Sequence, residues 1–72
     1  MVGKILTERE FNVIILVVKG LTNTQIADIL HISVHTVKAH LEAIYYKFGV
    51  TNRVQVAMKA VGLGLIDLEA LV

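Results

Sequence analysis

The chain has 72 residues, enough for one small domain but too few for a water-excluding enzyme pocket. Because 56% of the residues are hydrophobic, the chain is not intrinsically disordered. Its longest uninterrupted apolar run, residues 13–18, is far shorter than the ~20 residues that cross a bilayer, and no signal-peptide pattern is present, so we expect a cytoplasmic protein without membrane contact. Seven Lys and Arg against six Asp and Glu give a net charge of +1, and the lack of cysteine excludes disulfides, thiolate zinc sites and thiol nucleophiles.

The first predicted helix covers residues 8–19. Thr7 is a favourable N-cap, Glu10 completes a capping box three residues later, and Gly20 suits the left-handed position after the helix. At about 100° per residue this helix has two apolar faces, where one stripe is usual. The faces are Val13, Leu16 and Val17 with Ile14 at the edge, and Phe11, Ile15 and Val18.

Two further helices follow, at residues 23–30 and 34–48, with Thr22 and Ser33 as their N-caps. Only residues 31–33 connect them, which is the tight connection of a helix-turn-helix, although the glycine usual in that turn is missing. The apolar face of the shorter helix is Ile26, Ile29 and Leu30, and the core stripe of the longer one is Val37, Leu41, Ile44 and Phe48.

Gly49 ends the third helix, and Thr51 opens a fourth at about residues 52–61, which Gly62 and Gly64 break. The predicted fold is therefore an all-α, four-helix bundle that contains a helix-turn-helix. Its divisions are an N-terminal extension at residues 1–5, the domain at 6–66 and a C-terminal tail at 67–72.

Opposite its core stripe, the third helix carries a mixed polar face. Such a face suits the major groove of DNA, where base edges are distinguished by hydrogen bonds and close contacts. A merely solvated polar face has the same spacing, and in the free protein Lys38 could pair with Glu42 one turn later. The face consists of His35, Lys38, Ala39, Glu42 and Tyr46.

Several segments together resemble the LuxR/FixJ-type helix-turn-helix domain of transcription regulators. The resemblance covers residues 6–66 and implies a four-helix DNA-binding unit, usually the output half behind a receiver or ligand-sensing domain, whose third helix enters the major groove. The segments are Leu6-Thr7-Glu8-Arg9-Glu10, Gly20-Leu21-Thr22-Asn23, Ile26-Ala27, Ile32-Ser33, Thr36-Val37-Lys38-Ala39-His40 and Phe48-Gly49-Val50-Thr51-Asn52-Arg53.

Carried over to this chain, the resemblance implies Thr36 and Lys38 as the foremost DNA contacts. Asn23 and Thr24 correspond to phosphate contacts at a helix N-terminus, which favours anions, and Arg53 either contacts phosphate or braces the fold. Glu10 and His40 match the pattern but have a structural interpretation. The remaining expected contacts are Val34 and His35, where relatives vary, Ala39, and Glu42 and Tyr46, where relatives often have polar or basic residues.

The fourth helix also has a second apolar stripe, apart from the face made by Val56, Ala57 and Ala60. Contiguous apolar surface usually marks an interface, and in the resembling family this helix often forms the dimer contact. Alternatively the tail, with Leu68, Leu71 and Val72, covers the stripe. For the second face of the first helix, a missing N-terminal domain is an alternative partner. The expected dimer residues are Val54, Met58, Val61 and Leu65.

The sequence thus predicts a sequence-specific DNA-binding domain of a transcription regulator, acting as a homodimer on double-stranded DNA, with RNA polymerase as a further candidate partner. The alternative is a protein-interaction module that keeps the fold but has lost DNA binding, consistent with the weak net charge. No metal or other cofactor is expected, because His35 and His40 are five residues apart and two ligands on one helix face need i, i+4 spacing.

Overall fold

A computed structural model describes residues 5–67 and residue 69, and this part of the chain contains four α-helices. They are α1 (Glu8–Val18), α2 (Asn23–Leu30), α3 (Val34–Phe48) and α4 (Arg53–Gly62). α1 packs against the other three helices, and α3 packs against both α2 and α4. The all-α prediction with a helix-turn-helix at α2 and α3 is confirmed, whereas the tail residues Leu68, Leu71 and Val72 lie outside the described residues.

The capping box predicted for α1 is present. The Glu10 backbone N–H donates to Thr7 Oγ1 (3.0 Å), and the Thr7 N–H donates to Glu10 Oε1 (2.9 Å). Gly20 takes the predicted left-handed conformation (φ 86°). The helix ends at Val18 because Lys19 is its C-cap, one residue earlier than predicted.

The start of α4 differs from the prediction that Thr51 opens it. Asn52 is the N-cap, and its Oδ1 accepts from the Gln55 N–H (2.9 Å). Thr51 instead lies one residue before this N-cap and donates its own N–H to Gln55 Oε1 (2.9 Å). At the other end Gly62 is the last helical residue rather than the predicted breaker.

The core lies between all four helices, and it confirms the predicted stripe of α3. Burying each large side chain such as Ile14, Ile26 or Ile44 stabilises the fold by about 1.5–3 kcal/mol. The buried apolar residues are Val13, Ile14, Leu16, Val17, Ile26, Ala27, Val37, Leu41, Ile44, Phe48, Val56, Ala60 and Ile66.

Two predictions about apolar faces need correction. Ile29 is 52% exposed, because the buried side of α2 is centred between Ile26 and Ala27 and at about 100° per residue Ile29 points away from it. The second face of α1 is half-buried rather than open, because α1 contacts three other helices. The side chains of that face that pack against the core are Phe11, Ile15 and Val18.

Candidate nucleic-acid interface

The predicted polar face of α3 is exposed along its whole length. Its side chains lie on the side of α3 away from the buried stripe, as expected for 3.6 residues per turn. Tyr46 on this face is 72% exposed. The face therefore presents donors, one carboxylate and a small Ala39 side chain that lets another molecule approach the backbone closely. The exposed residues are His35, Lys38, Ala39, Glu42 and Tyr46.

The start of α2 has two backbone N–H groups to offer. Thr22 and Gln25 form a second capping box, in which the Gln25 N–H donates to Thr22 Oγ1 (3.2 Å) and the Thr22 N–H donates to Gln25 Oε1 (2.8 Å). The Ile26 N–H then begins the helical ladder by donating to the Thr22 carbonyl. This leaves the N–H groups of Asn23 and Thr24 without an acceptor in the described part of the chain, and such groups favour an anion.

The turn between α2 and α3 closes without the glycine that is usual there. His31 takes the left-handed conformation (φ 58°, ψ 44°), and the Ile32 N–H donates to the Ala27 carbonyl (3.0 Å). Together with the His31 N–H, which donates to the Asp28 carbonyl (3.4 Å), this bond makes a Schellman helix end, here built on a residue with a Cβ. The turn thus fixes the angle at which α3 leaves α2.

The first turn of α3 is held by its own cap. Ser33 Oγ accepts from the Thr36 N–H (3.0 Å) and lies 2.9 Å from Thr36 Oγ1, so the hydroxyl expected to contact DNA is engaged with the cap. Val34 is half-buried and packs against the core, because it lies one turn before Val37 on the same side of α3. Of the residues that begin α3, His35 is therefore the more exposed candidate.

Arg53 makes hydrogen bonds within the fold, in agreement with the bracing role that was one of the two expectations for it, and its phosphate contact stays a prediction. Its Nη1 donates to Asn23 Oδ1 (2.6 Å) and its Nη2 donates to the Leu21 carbonyl (2.8 Å). The first residue of α4 thereby holds the chain on both sides of the Thr22 cap of α2.

Four predicted site residues meet at one shallow cleft of about 170 Å³ between α2, α3 and α4. They are Asn23, Lys38, Glu42 and Arg53, and Leu41 and Tyr45 complete the lining. Tyr45 is not among the predicted contacts, because it adjoins Tyr46 and only the packing of the helices shows which tyrosine faces the cleft. The other predicted contacts, Thr24, Val34, His35, Thr36, Ala39 and Tyr46, do not line this cleft.

The pair that Lys38 and Glu42 could form one turn apart on α3 is not present. Among the described residues the pair at ion-pair distance is Lys47 with Glu10, where Nζ and Oε1 are 2.6 Å apart. An i, i+4 surface pair is worth only about 0.3–0.5 kcal/mol, too little to hold two long side chains together. Both side chains are exposed at the cleft and available to a ligand.

Several other cations serve the fold instead. Lys47 Nζ also donates to the Ile5 carbonyl (2.9 Å), and Lys59 Nζ donates to the Phe48 carbonyl (3.0 Å) at the end of α3. Arg53 is hydrogen-bonded as well. Lys38, on the exposed face of α3, donates to no acceptor among the described residues.

The second stripe of α4 is also exposed. Val54 is 64% and Met58 69% exposed, Leu65 is less open, and Val61 is half-buried. Leu65 also borders an apolar groove of about 600 Å³ whose lining includes Phe11, Phe48 and Leu63. The described residues therefore leave Val54 and Met58 of the stripe predicted for dimer contact uncovered, whereas Val61 is partly covered and Leu65 lies beyond the end of α4.

Comparison with known proteins decides the family. Residues 4–60 match the family model described as bacterial regulatory proteins, luxR family. The chain belongs to the luxR family. A luxR-type helix-turn-helix is the DNA-binding domain of a transcription regulator, so membership favours DNA binding over an interaction module that has lost it.

The luxR-family relatives are longer proteins. The response regulator protein VraR of Staphylococcus aureus is 40% identical over 64 residues, which are 89% of this chain and 31% of VraR, and VraR of Staphylococcus saprophyticus matches equally. The crystal structure of the response regulator ChrA of a heme-sensing two-component system superposes with a TM-score of 0.84 at 41% identity, covering 88% of this chain and 31% of ChrA. This chain spans about a third of the length of these relatives.

Two kinds of feature are absent from the described residues of this luxR-family domain. No helix there has the length and apolar character needed to cross a membrane. No group of three or more His, Cys, Asp or Glu side chains there is placed to hold a metal ion.

Proposed function

We propose that this luxR-family chain is the output domain of a response regulator and binds double-stranded DNA sequence-specifically, with α3 in the major groove. The observation that carries the proposal is the cleft at which the exposed face of α3 meets the start of α2. There Lys38 lies beside Asn23, which has an unused backbone N–H at a helix N-terminus.

The contacts divide by what they recognise. Phosphate contacts position a protein on the duplex, and base contacts specify the sequence. Asn23 and Thr24 offer helix N-terminal donors to a phosphate, and Tyr46, exposed on the same face of α3, bonds another phosphate through its hydroxyl. Lys38 reaches base edges, with Glu42 one turn beyond it and His35 one turn before it on the same face.

The protein acts as a homodimer on a two-fold site. The support is the exposed apolar stripe of α4, in which Val54 and Met58 are more than half exposed. Two copies that join through this stripe carry two α3 helices to successive major grooves, about 34–36 Å apart, as helix-turn-helix dimers do. The further partners are an N-terminal receiver domain and RNA polymerase, since the relatives of this chain are response regulators about three times its length.

The proposal is tested by selecting duplexes from a random library and titrating the best one, and a scrambled copy, at low and moderate salt. We expect the selected duplex to contain two related half-sites, to bind more tightly than its scrambled copy, and to lose affinity as salt rises. Equal, weak binding of both duplexes would favour the interaction module instead.

A further inference from the structure

The Arg53 side chain holds the start of α2 at two points. Nη1 donates to Asn23 Oδ1 at 2.6 Å, and Nη2 donates to the Leu21 carbonyl at 2.8 Å. A guanidinium is planar and its N–H donors have fixed relative directions. The two hydrogen bonds therefore fix the positions of both acceptors relative to the Arg53 side chain. Arg53 is half-buried at the first position of α4, which fixes the base of the fork.

The bond from Arg53 determines which end of the Asn23 amide stays available. A guanidinium has donors and no acceptor, so the Asn23 atom that faces it is the carbonyl oxygen. The NH₂ group of Asn23 then keeps its donors, and no described residue accepts from them. The same residue offers its backbone N–H at the start of α2, so one residue carries two kinds of available donor.

We infer that Arg53 is a positioning residue for DNA binding: by holding Oδ1 of Asn23, it keeps the Asn23 amide oriented with its NH₂ group available to a phosphate oxygen. The inference rests on the proposed function. Without Arg53 the amide samples other rotamers and its flipped orientation, and binding must then restrict that motion at an entropic cost. Arg53 acts here through Asn23 and not through a phosphate contact of its own.

A double-mutant cycle separates these roles. Arg53→Lys keeps the positive charge but cannot make both hydrogen bonds, to Asn23 Oδ1 and to the Leu21 carbonyl, at once. A direct contact between the charge and a phosphate would therefore persist in this variant, whereas the Asn23 amide would no longer be oriented. We expect Arg53→Lys and Asn23→Ala each to weaken binding of the selected duplex by about tenfold, the value of one hydrogen bond to a charged group. In the Asn23→Ala background, Arg53→Lys should cause no further loss.

Salt titration gives a second readout. The slope of log affinity against log salt counts the phosphates neutralised by cations, at about 0.9 per contact. Because Arg53 acts through a neutral amide, Arg53→Gln should weaken binding without lowering this slope by one contact. A loss of about 0.9 in the slope would show that Arg53 contacts phosphate itself and would overturn the inference.

Asn23→Asp distinguishes a loss of DNA binding from a loss of folding stability. Aspartate keeps an acceptor for Arg53, so the melting temperature should not fall, but it replaces the NH₂ donor with a second oxygen. Binding should therefore weaken by at least tenfold, and unchanged binding would overturn the inference. So would an equal effect of Arg53→Lys in both backgrounds, which would indicate an action through Leu21. Failure of the wild-type chain to bind the selected duplex would overturn the proposed function instead.

Discussion

Glu10 and Lys47 are 37 residues apart in sequence, and their side chains meet with Nζ and Oε1 separated by 2.6 Å. Glu10 is almost completely buried and also closes the capping box of α1. Lys47 lies in the last turn of α3 and donates to the Ile5 carbonyl as well. The pair therefore ties the end of the helix proposed to contact DNA to the beginning of α1.

This pair predicts how stability depends on pH. Burial alone would raise the pKa of Glu10, but the Lys47 ammonium and the Thr7 backbone N–H outweigh it, and the pKa is lowered below its ordinary value. A carboxyl with a lowered pKa stabilises the folded state above the unfolded pKa, about 4.3, and loses that contribution as the pH falls through the folded pKa. We expect the free energy of unfolding to decrease below about pH 4.3.

Glu10→Gln should make that decrease smaller. Glutamine keeps the acceptor for the Thr7 N–H but loses the charged bond to Lys47, so stability at neutral pH should fall by about 1–2 kcal/mol. Urea unfolding across the acidic range measures both effects, with Glu8→Gln as the control that removes an exposed carboxylate of the same helix. An acid dependence identical in Glu10→Gln and wild type would contradict this account.

The conformation of His31 leads to a prediction about folding stability. A residue with a Cβ in the left-handed region is strained by about 1–2 kcal/mol, and glycine removes that strain while losing about 0.5–1 kcal/mol of backbone entropy. We expect His31→Gly to raise the free energy of unfolding by up to about 1 kcal/mol, and His31→Val, which is β-branched, to lower it. Thermal melts of the two variants provide the comparison, and a less stable His31→Gly would contradict it.

Local signals predicted the helices well. The residues that cap these helices contact backbone groups within one turn of themselves, so sequence spacing alone predicts the caps. They are Thr7 with Glu10, Thr22, Ser33, Gly20 and Gly49. The left-handed conformation of His31 was not predicted, because glycine is the residue that normally indicates a left-handed helix end. Ile29 was misplaced because a short helix does not reveal how wide its buried face is until α3 packs against it.

The candidate site could be predicted only in part. The exposed face of α3 follows from its period, and the structure bears out the exposure of Lys38 and Glu42. The bonds from Arg53 to Asn23 and from Lys47 to Glu10 join different helices, and their partners depend on how the helices pack. Nothing in the spacing of single residues indicates such a pair. A bracing role was one of the two expectations for Arg53, but its partners were not predicted, and the structural role of Lys47 was not predicted at all.

The apolar stripe of α4 predicts self-association. Met58→Asp places a charge on that stripe, where burying it unpaired is costly, so the variant should remain monomeric while wild type shifts toward dimers with concentration. Sedimentation velocity measures this, and Ile29→Asp is the matched control, since Ile29 is an exposed apolar residue of another helix. Wild type that stays monomeric at high concentration, both free and on DNA, would rule out the dimer.

Glu42 is predicted to reduce general affinity and to add discrimination. Its carboxylate repels phosphates but accepts a hydrogen bond from the N4 amino group of cytosine. Glu42→Gln should therefore bind random DNA more tightly and weaken the preference for cytosine at one position near the base that Lys38 contacts. Selection from a random duplex library with both proteins tests this. Identical base preferences, with affinity raised equally for every sequence, would mean that Glu42 only adjusts the charge.

Lys38→Ala tests whether the α3 face beside the start of α2 contacts DNA. Lys19→Ala is the control, because it removes the same charge from an exposed lysine at the end of α1. In a titration of the selected duplex we expect Lys38→Ala to weaken specific binding by about 1–3 kcal/mol with unchanged helical content. Lys19→Ala should bind like the wild type. Unchanged affinity in a folded Lys38→Ala variant would contradict the account.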